Sequence, residues 1–250
     1  MNLAECATWA PPPHNIPLPA AEAHVFRLSL DVSTAALRTQ ERFLSADERV
    51  RASQFVFDAD RSRYIAARST LRAILGHYLD TPPEAIGFRY GPFGKPELDE
   101  GCPLRFNLSH SADLALVAVA WRRAVGVDLE RIVPKRACEE VAARLFSPTE
   151  VSALARLAPA ERLLGFFRCW TRKEAYVKAR GDGFCMPLPS FNVSLKCGDL
   201  PCLLDMRQCT GDTSLWTLAN LEAGPGFAAS IVIEGAAVEI RQFDWPLVLP

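Results

Sequence analysis

The chain has 250 residues, 49% hydrophobic, 23% charged and 9% aromatic, and 28 basic side chains stand against 29 acidic ones for a net charge of −1. That balance argues against a protein held to nucleic acid by its global charge, and the apolar share argues against disorder or a fibrous architecture. The longest apolar run, Leu114–Trp121, is far short of the roughly 20 residues of a membrane-spanning helix, and Met1–Pro13 has neither the basic opening nor the apolar core of a secretion signal.

Residues 1–20 are proline-rich and predict a loose or extended arm, followed by a strand near His24–Leu30. Ser45-Ala46-Asp47-Glu48 has the form of a capping box, which opens a helix to about Phe57. Tyr64, Ala67, Leu71, Leu75 and Tyr78 recur at helical spacing, so a helix is predicted over Asp60–Leu79, stopped by Thr81-Pro82-Pro83. Strands follow at Ile86–Tyr90, Leu104–Leu108 and Leu114–Trp121, with a Gly91-Pro92-Phe93-Gly94 turn after the first. The second half opens on a strand at Val125–Glu130 and continues with helices at Ala137–Leu145, Pro148–Leu157 and Pro159–Ala179, the last closed by Gly181. It ends in short strands, of which Phe227–Ile233 and Val238–Phe243 are the clearest.

One internal echo bears on architecture. Arg42-Phe43-Leu44-Ser45-Ala46-Asp47-Glu48 parallels Arg144-Leu145-Phe146-Ser147-Pro148-Thr149-Glu150. Each copy precedes a long helix with ionic residues four apart, Arg68 and Arg72 in one, Glu174 and Lys178 in the other. Shared capping chemistry accounts for the echo; so does a duplicated α+β unit packed as a pseudo-dimer.

Eight cysteines contain no C-x-x-C pair and no nearby Cys/His cluster, so reduced thiols in a cytoplasmic protein are expected rather than a zinc site or disulfides. In Val125-Gly126-Val127-Asp128-Leu129-Glu130, strand alternation puts Gly126, Asp128 and Glu130 on one face, with the space beside the glycine open. Two carboxylates so close suit Mg²⁺, which takes one or two carboxylates plus phosphates and waters; taken alone, the pattern reads more simply as an edge strand with a solvated acidic face. Trp170, Glu174 and Lys178 form an i,i+4 stripe, either a surface salt bridge beside a core Trp or a third metal carboxylate with a phosphate-binding ammonium. Arg49, Arg51, Arg61, Arg63, Arg68 and Arg72 face only Asp58 and Asp60 in their stretch, which fits a polyphosphate cradle or a solvated helix face. Ser109-His110 suggests a hydrolase, but adjacent residues of an extended segment point apart and no G-x-S-x-G elbow is present.

Taken in order, Gly94-Lys95-Pro96, Asn107-Leu108-Ser109-His110-Ser111, Val125-Gly126-Val127-Asp128-Leu129-Glu130 and Trp170-x-x-Lys173-Glu174-x-x-x-Lys178 resemble the 4′-phosphopantetheinyl transferases of the monomeric surfactin-synthetase type, over about Ser45 to Gly183. The resemblance implies transfer of the phosphopantetheine arm of coenzyme A to a serine of an acyl or peptidyl carrier protein, in fatty acid, polyketide or nonribosomal peptide synthesis, with release of adenosine 3′,5′-bisphosphate. It also implies an α+β fold of two similar halves related by a pseudo-two-fold, which we divide at residues 1–122 and 123–250, working as a monomer with no nucleic-acid or membrane partner. On this resemblance Asp128, Glu130 and Glu174 hold Mg²⁺. Arg51, Arg63, Lys95, Ser109, His110 and Lys178 bind coenzyme A, with Arg49 and Arg68 as weaker candidates. Glu174, directly or through a metal-bound water, serves as base, and Lys178 and His110 complete the catalytic set. Some relatives carry Lys where this chain has Glu48, so Glu48 is not assigned to coenzyme A. The competing readings are a coenzyme A-binding module without catalysis, which would lose the carboxylates, and a Mg²⁺-dependent nucleotide hydrolase, which would need no carrier protein.

Overall fold

A computed structural model of the chain describes residues 9–13, 16–91, 94–137, 139–181, 186–195, 201–206 and 213–246. The first half comprises β1 (Glu22–Ser29), α1 (Thr34–Gln40), α2 (Ala46–Ser53), α3 (Asp58–Leu79), β2 (Arg89–Tyr90), β3 (Pro96–Glu97), β4 (Leu104–Ser111) and β5 (Leu114–Trp121). The second comprises β6 (Val125–Arg131), α4 (Glu139–Leu145), α5 (Pro148–Ala155), α6 (Pro159–Arg180), β7 (Phe191–Val193), β8 (Leu203–Met206), β9 (Trp216–Leu221), β10 (Phe227–Glu234) and β11 (Glu239–Asp244).

The two halves repeat one plan. The antiparallel order β1-β5-β4 in one sheet is matched by β6-β10-β9 in the other. α2 and α5 each have 8 residues, α3 and α6 each have 22. The capping boxes form as expected: the Ser45 N–H donates to Glu48 Oε2 at 3.2 Å and the Ser147 N–H to Glu150 Oε2 at 2.8 Å. Each of these glutamates is then buried against a cation of the long helix, Glu48 against Arg68 and Arg72 and Glu150 against Lys173. A capping glutamate that doubles as a buried ion-pair partner recurs at equivalent places, so the echo in the sequence is a structural duplication.

Side-chain alternation along the strands builds four layers. Phe26, Leu28, Val117 and Val119 meet Leu71, Ile74 and Leu75 of α3, while Ala228 and Val232 meet Phe167, Ala175 and Tyr176 of α6. Between the sheets, Val25, Leu116 and Ala118 pack on Val127, Leu129, Ile231 and Ile233. Truncating one of these leucines or isoleucines to Ala costs about 2–5 kcal/mol. Pro159 at the start of α6, Lys178 and Arg180 in its last turn and Gly181 in the left-handed region at φ 75° fix that helix at both ends.

Three features depart from expectation. The described part of the proline-rich arm, residues 9–13 and 16–20, is not loose: Ala10 bridges Phe243, and Ile16 and Leu18 are buried in the first core. The stretch Ile86–Tyr90 gives only the two-residue β2, because Pro83–Ala85 is a 3₁₀ turn that Ile86 closes with its N–H. β11 leaves the second half and pairs parallel to β1, so the final strand belongs to the first sheet. Of the Gly91–Gly94 turn, Pro92 and Phe93 lie outside the described residues; the Gly91 N–H donates to Lys95 O at 3.0 Å. Among the described residues no helix is long and apolar enough to cross a membrane.

Candidate active site

β4 and β6 are the strands along which the halves meet, and side chains make the join. β4 residues 107, 109 and 111 share the inner face of the first sheet, since they pair with Ala118, Leu116 and Leu114 of β5. Asn107 Oδ1 accepts the Val127 N–H at 2.9 Å, Ser109 Oγ accepts the Leu129 N–H at 3.2 Å and Ser111 Oγ accepts the Arg131 N–H at 3.0 Å. These bonds satisfy the free edge of β6, which would otherwise leave buried donors unpaired.

The opposite face of β6, turned toward α6 and away from Val127 and Leu129, carries the carboxylates. Ser109 Oγ donates to Asp128 Oδ1 at 3.1 Å, and Lys178 Nζ reaches the same oxygen at 2.6 Å and Ser109 Oγ at 3.0 Å. Asp128 Oδ2 is buried with no hydrogen-bond partner among the described residues. Glu130 Oε2 accepts from Ser111 Oγ at 3.2 Å and lies 3.5 Å from Arg136 Nη1. Burial, then repulsion from Asp128, pushes the carboxyl of Glu130 above the usual range, and burial with repulsion from Asp128 and Glu130 does the same to Glu174.

Gly126 sets how closely α6 approaches. A Cβ there would come within 2.1 Å of Ala175 O and 2.3 Å of Ala179 N. The space beside the glycine, expected to be open, is therefore filled by the α6 backbone. The absence of a side chain is what lets α6 lay Glu174 and Lys178 over the strand bearing Asp128.

His110 points away from Ser109, as alternation requires. It lines a cavity of about 530 Å³ with Arg51, Arg63, Tyr64, Arg68 and Tyr90. His110 is exposed to the cavity, yet desolvation by the cavity wall, reinforced by Lys178 and Arg63, lowers its pKa, so the imidazole of the ligand-free protein is biased toward its neutral form. A second cavity of about 590 Å³ is bounded by Lys95, Leu108, Leu145, Glu174, Val177 and Lys178. Lys95 donates from Nζ to Lys178 O, and burial lowers its pKa.

The structure thus divides the candidate residues. Asp128, Glu130, Glu174, Ser109 and Lys178 form one cluster, and Arg51, Arg63 and His110 form another across β4; Gly94, Pro96, Asn107 and Leu108 line both cavities. Ser109, expected among the phosphate ligands, has its one donor and both acceptor positions taken within the seam. The arginine cluster also divides. Arg72, 2% exposed, bonds Glu48, Pro83 O and Ile86 O, and Arg68 bonds Glu48 and the Tyr90 hydroxyl, so both are internal supports. Arg49 donates to Leu44 O, Arg61 pairs with Glu41, Arg63 with Asp60, and Arg51 lies over the Tyr64 ring at 5.9 Å. Lys173, fully buried on Glu150, supports the fold, and Trp170 packs against Phe166. Tyr64 and Tyr90 were not singled out from the sequence; Tyr64 was visible only as a member of the helical apolar pattern, and nothing local marks Tyr90.

A divalent cation suits this cluster on one direct observation, the buried and unpartnered Asp128 Oδ2 among carboxyls that repel one another. Among the described residues, no three metal-ligating side chains converge on one point, and the Lys178 ammonium neutralises Asp128 Oδ1.

Residues 31–122 match the N-terminal model of the 4′-phosphopantetheinyl transferases, and residues 124–232 match the 4′-phosphopantetheinyl transferase superfamily. The chain is 44% identical over 179 residues to the 4′-phosphopantetheinyl transferase HetI of Nostoc sp., an alignment covering 70% of this chain and 76% of that one. It is 31% identical over 153 residues to a 4′-phosphopantetheinyl transferase of Bacillus subtilis, covering 61% of this chain and 67% of that one. A solved holo-(acyl-carrier-protein) synthase of Bacillus anthracis, in complex with CoA (3′,5′-ADP), aligns with 45% of this chain and 96% of its own at 18% identity and a TM-score of 0.38. Two consecutive family matches that meet where β5 passes into β6, with a relative aligned across both, mean that the chain belongs to the 4′-phosphopantetheinyl transferase family.

Proposed function

We propose that this protein transfers the 4′-phosphopantetheine arm of coenzyme A to a serine of an apo acyl or peptidyl carrier protein in the cytoplasm, as a monomer dependent on Mg²⁺, releasing adenosine 3′,5′-bisphosphate. The observation that carries the chemistry is Asp128, held by Ser109 and Lys178 through one oxygen and unpartnered at the other, beside two carboxyls whose proton affinity is raised. Asp128, Glu130 and Glu174 would hold the metal once their side chains turn toward a common point, and it would supply Lewis-acid neutralisation of the pyrophosphate.

Arg51, Arg63 and His110 take the phosphate-bearing adenosine end in the basic cavity, where guanidinium forks match phosphate oxygens. Lys178 spends two of its three N–H groups on Ser109 and Asp128 and, among the described residues, has the third for a phosphoryl oxygen. Lys95, anchored to the last turn of α6, adds a second ammonium beside it. Attack of a hydroxyl on a pyrophosphate needs chiefly positioning and cationic stabilisation, which this set of groups provides. Glu174 makes no side-chain hydrogen bond among the described residues, and its raised proton affinity suits it to receive the serine proton. Cys102, Cys169 and Cys202 are free thiols, in keeping with a reducing compartment; the other five cysteines lie outside the described residues.

The test incubates the protein with coenzyme A, Mg²⁺ and a panel of apo carrier proteins and weighs the carriers. A gain of one phosphopantetheine, lost on chelation of the metal, is expected; no gain on any carrier overturns the proposal.

A further inference from the structure

Asn107, Ser109 and Ser111 repeat one relation at a spacing of two residues. Each accepts the backbone N–H of the β6 residue twenty positions on. Each serine also donates its hydroxyl proton to the carboxylate nineteen positions on, Ser109 to Asp128 and Ser111 to Glu130. The residue nineteen positions from Asn107 is Gly126, which has no carboxylate to hold. A hydroxyl stands where a group must accept and donate at once, and an amide oxygen where accepting suffices.

Glu130 needs such a holder. It has a long, flexible side chain near the end of β6, 21% exposed and repelled by Asp128. Its other partner, Arg136 at 3.5 Å, comes from a side chain 59% exposed and defines little. The Ser111 hydroxyl is itself fixed by the Arg131 N–H, so it presents one direction to Glu130 without losing further rotamer freedom.

We infer that Ser111 is a positioning residue: through its hydroxyl, the first half of the chain orients the Glu130 carboxylate of the second half for metal binding. This rests on the reading of Glu130 as a metal ligand. The seam that docks the halves and the device that aims the carboxylates are then one structure.

The experiment titrates the full-length protein with Mn²⁺, followed by electron paramagnetic resonance of the free ion, in the parent, Ser111→Ala, Ser111→Val, Ser111→Thr, Glu130→Ala and the Ser111→Ala/Glu130→Ala double variant. Ser111→Ala and Ser111→Val should weaken Mn²⁺ binding by about 10-fold, a loss typical of groups that orient metal ligands. Thr has the shape of Val but keeps the hydroxyl, so Ser111→Thr should bind like the parent even if Ser111→Ala folds poorly. The double variant should bind no more weakly than Glu130→Ala alone, because Ser111 acts through Glu130. Parent-like binding by Ser111→Val, or additive losses in the double variant, overturns the inference while leaving Glu130 a ligand. Parent-like binding by Glu130→Ala, or no Mn²⁺ binding by the parent, overturns the metal reading itself and the inference with it.

Discussion

Two lysines of one helix, five residues apart, should fail in opposite ways when removed. Lys173 is 0% exposed and Glu150 1%; the ammonium lies 2.7 Å from both carboxylate oxygens and also bonds Phe191 O. Lys173→Met leaves Glu150 with the Ser147 and Val193 N–H groups, each at 2.8 Å, and the weak thiol donor of Cys169, but with no cation. Breaking a buried pair from one side costs about 3–5 kcal/mol. For a chain of this size that lowers the melting temperature by roughly 6–20 °C, at about 2–4 °C per kcal/mol. Lys178 is 29% exposed and its charge-assisted bonds are worth about 1.5–3 kcal/mol, less after solvent screening. Urea unfolding followed by Trp fluorescence, together with transfer rates measured well below the transition, separates the two. Lys173→Met should lose stability and keep its rate per folded molecule, whereas Lys178→Ala should lose rate and keep most of its stability. The reasoning is refuted by a Lys173→Met protein within about 1 kcal/mol of the parent, since a buried carboxylate stripped of its cation cannot be that cheap.

Asp128→Ala and Glu174→Ala should nearly abolish carrier loading with the fold intact by circular dichroism, and Glu130→Ala should be milder because water replaces one Mg²⁺ ligand readily. Glu174→Gln should also abolish loading yet raise the melting temperature in metal-free buffer. A folded-state pKa above the unfolded one means that the native Glu contributes most at acid pH and progressively less as pH rises through the folded value, so the gain from Gln should grow from pH 4 to pH 7; an equal gain at both counts against the crowding of these carboxyls. Coenzyme A binding should take up a proton at His110, whose lowered pKa rises again beside a phosphate, so affinity should fall as pH climbs from the free value to the bound one. Calorimetry in buffers of different ionisation enthalpy checks this, with His110→Ala expected to remove the uptake. Arg51→Ala should weaken coenzyme A binding, and the loss should shrink with dephospho-coenzyme A if Arg51 holds the 3′-phosphate; equal losses for both ligands place that guanidinium elsewhere.

Much of this was legible because strong local signals agreed. The Leu114–Trp121 run is β5 to the residue, and the helical spacing of Leu71 and Leu75 located α3 within two residues at its start. α1 was missed because Thr34–Gln40 is short and only Gln40 of it is buried, so no apolar stripe marks it. β11 was visible as a strand but not as a partner of β1, since pairing across more than two hundred residues leaves no local trace. In the candidate site, residue type and spacing marked Asp128, Glu174 and Lys178 as candidates, and the structure brings the three side chains together. What the sequence could not say is which cations are already committed: Lys173 and Lys178, or Arg51 and Arg72, look alike until Glu150 and Glu48 are known to lie under one of each pair.

The return of β11 to the first sheet makes the boundary after β5 a poor place to cut. A fragment ending there would expose the whole backbone edge of β1, whose Glu22–Arg27 pair with Glu239–Asp244 in the intact chain, together with the inner apolar face of its sheet. Open edges of that kind recruit other strands, so such a fragment should dimerise or precipitate before it folds. β11 thus works as a clasp: the sheet begun by the first half is completed only when a strand made after the whole second sheet returns to it.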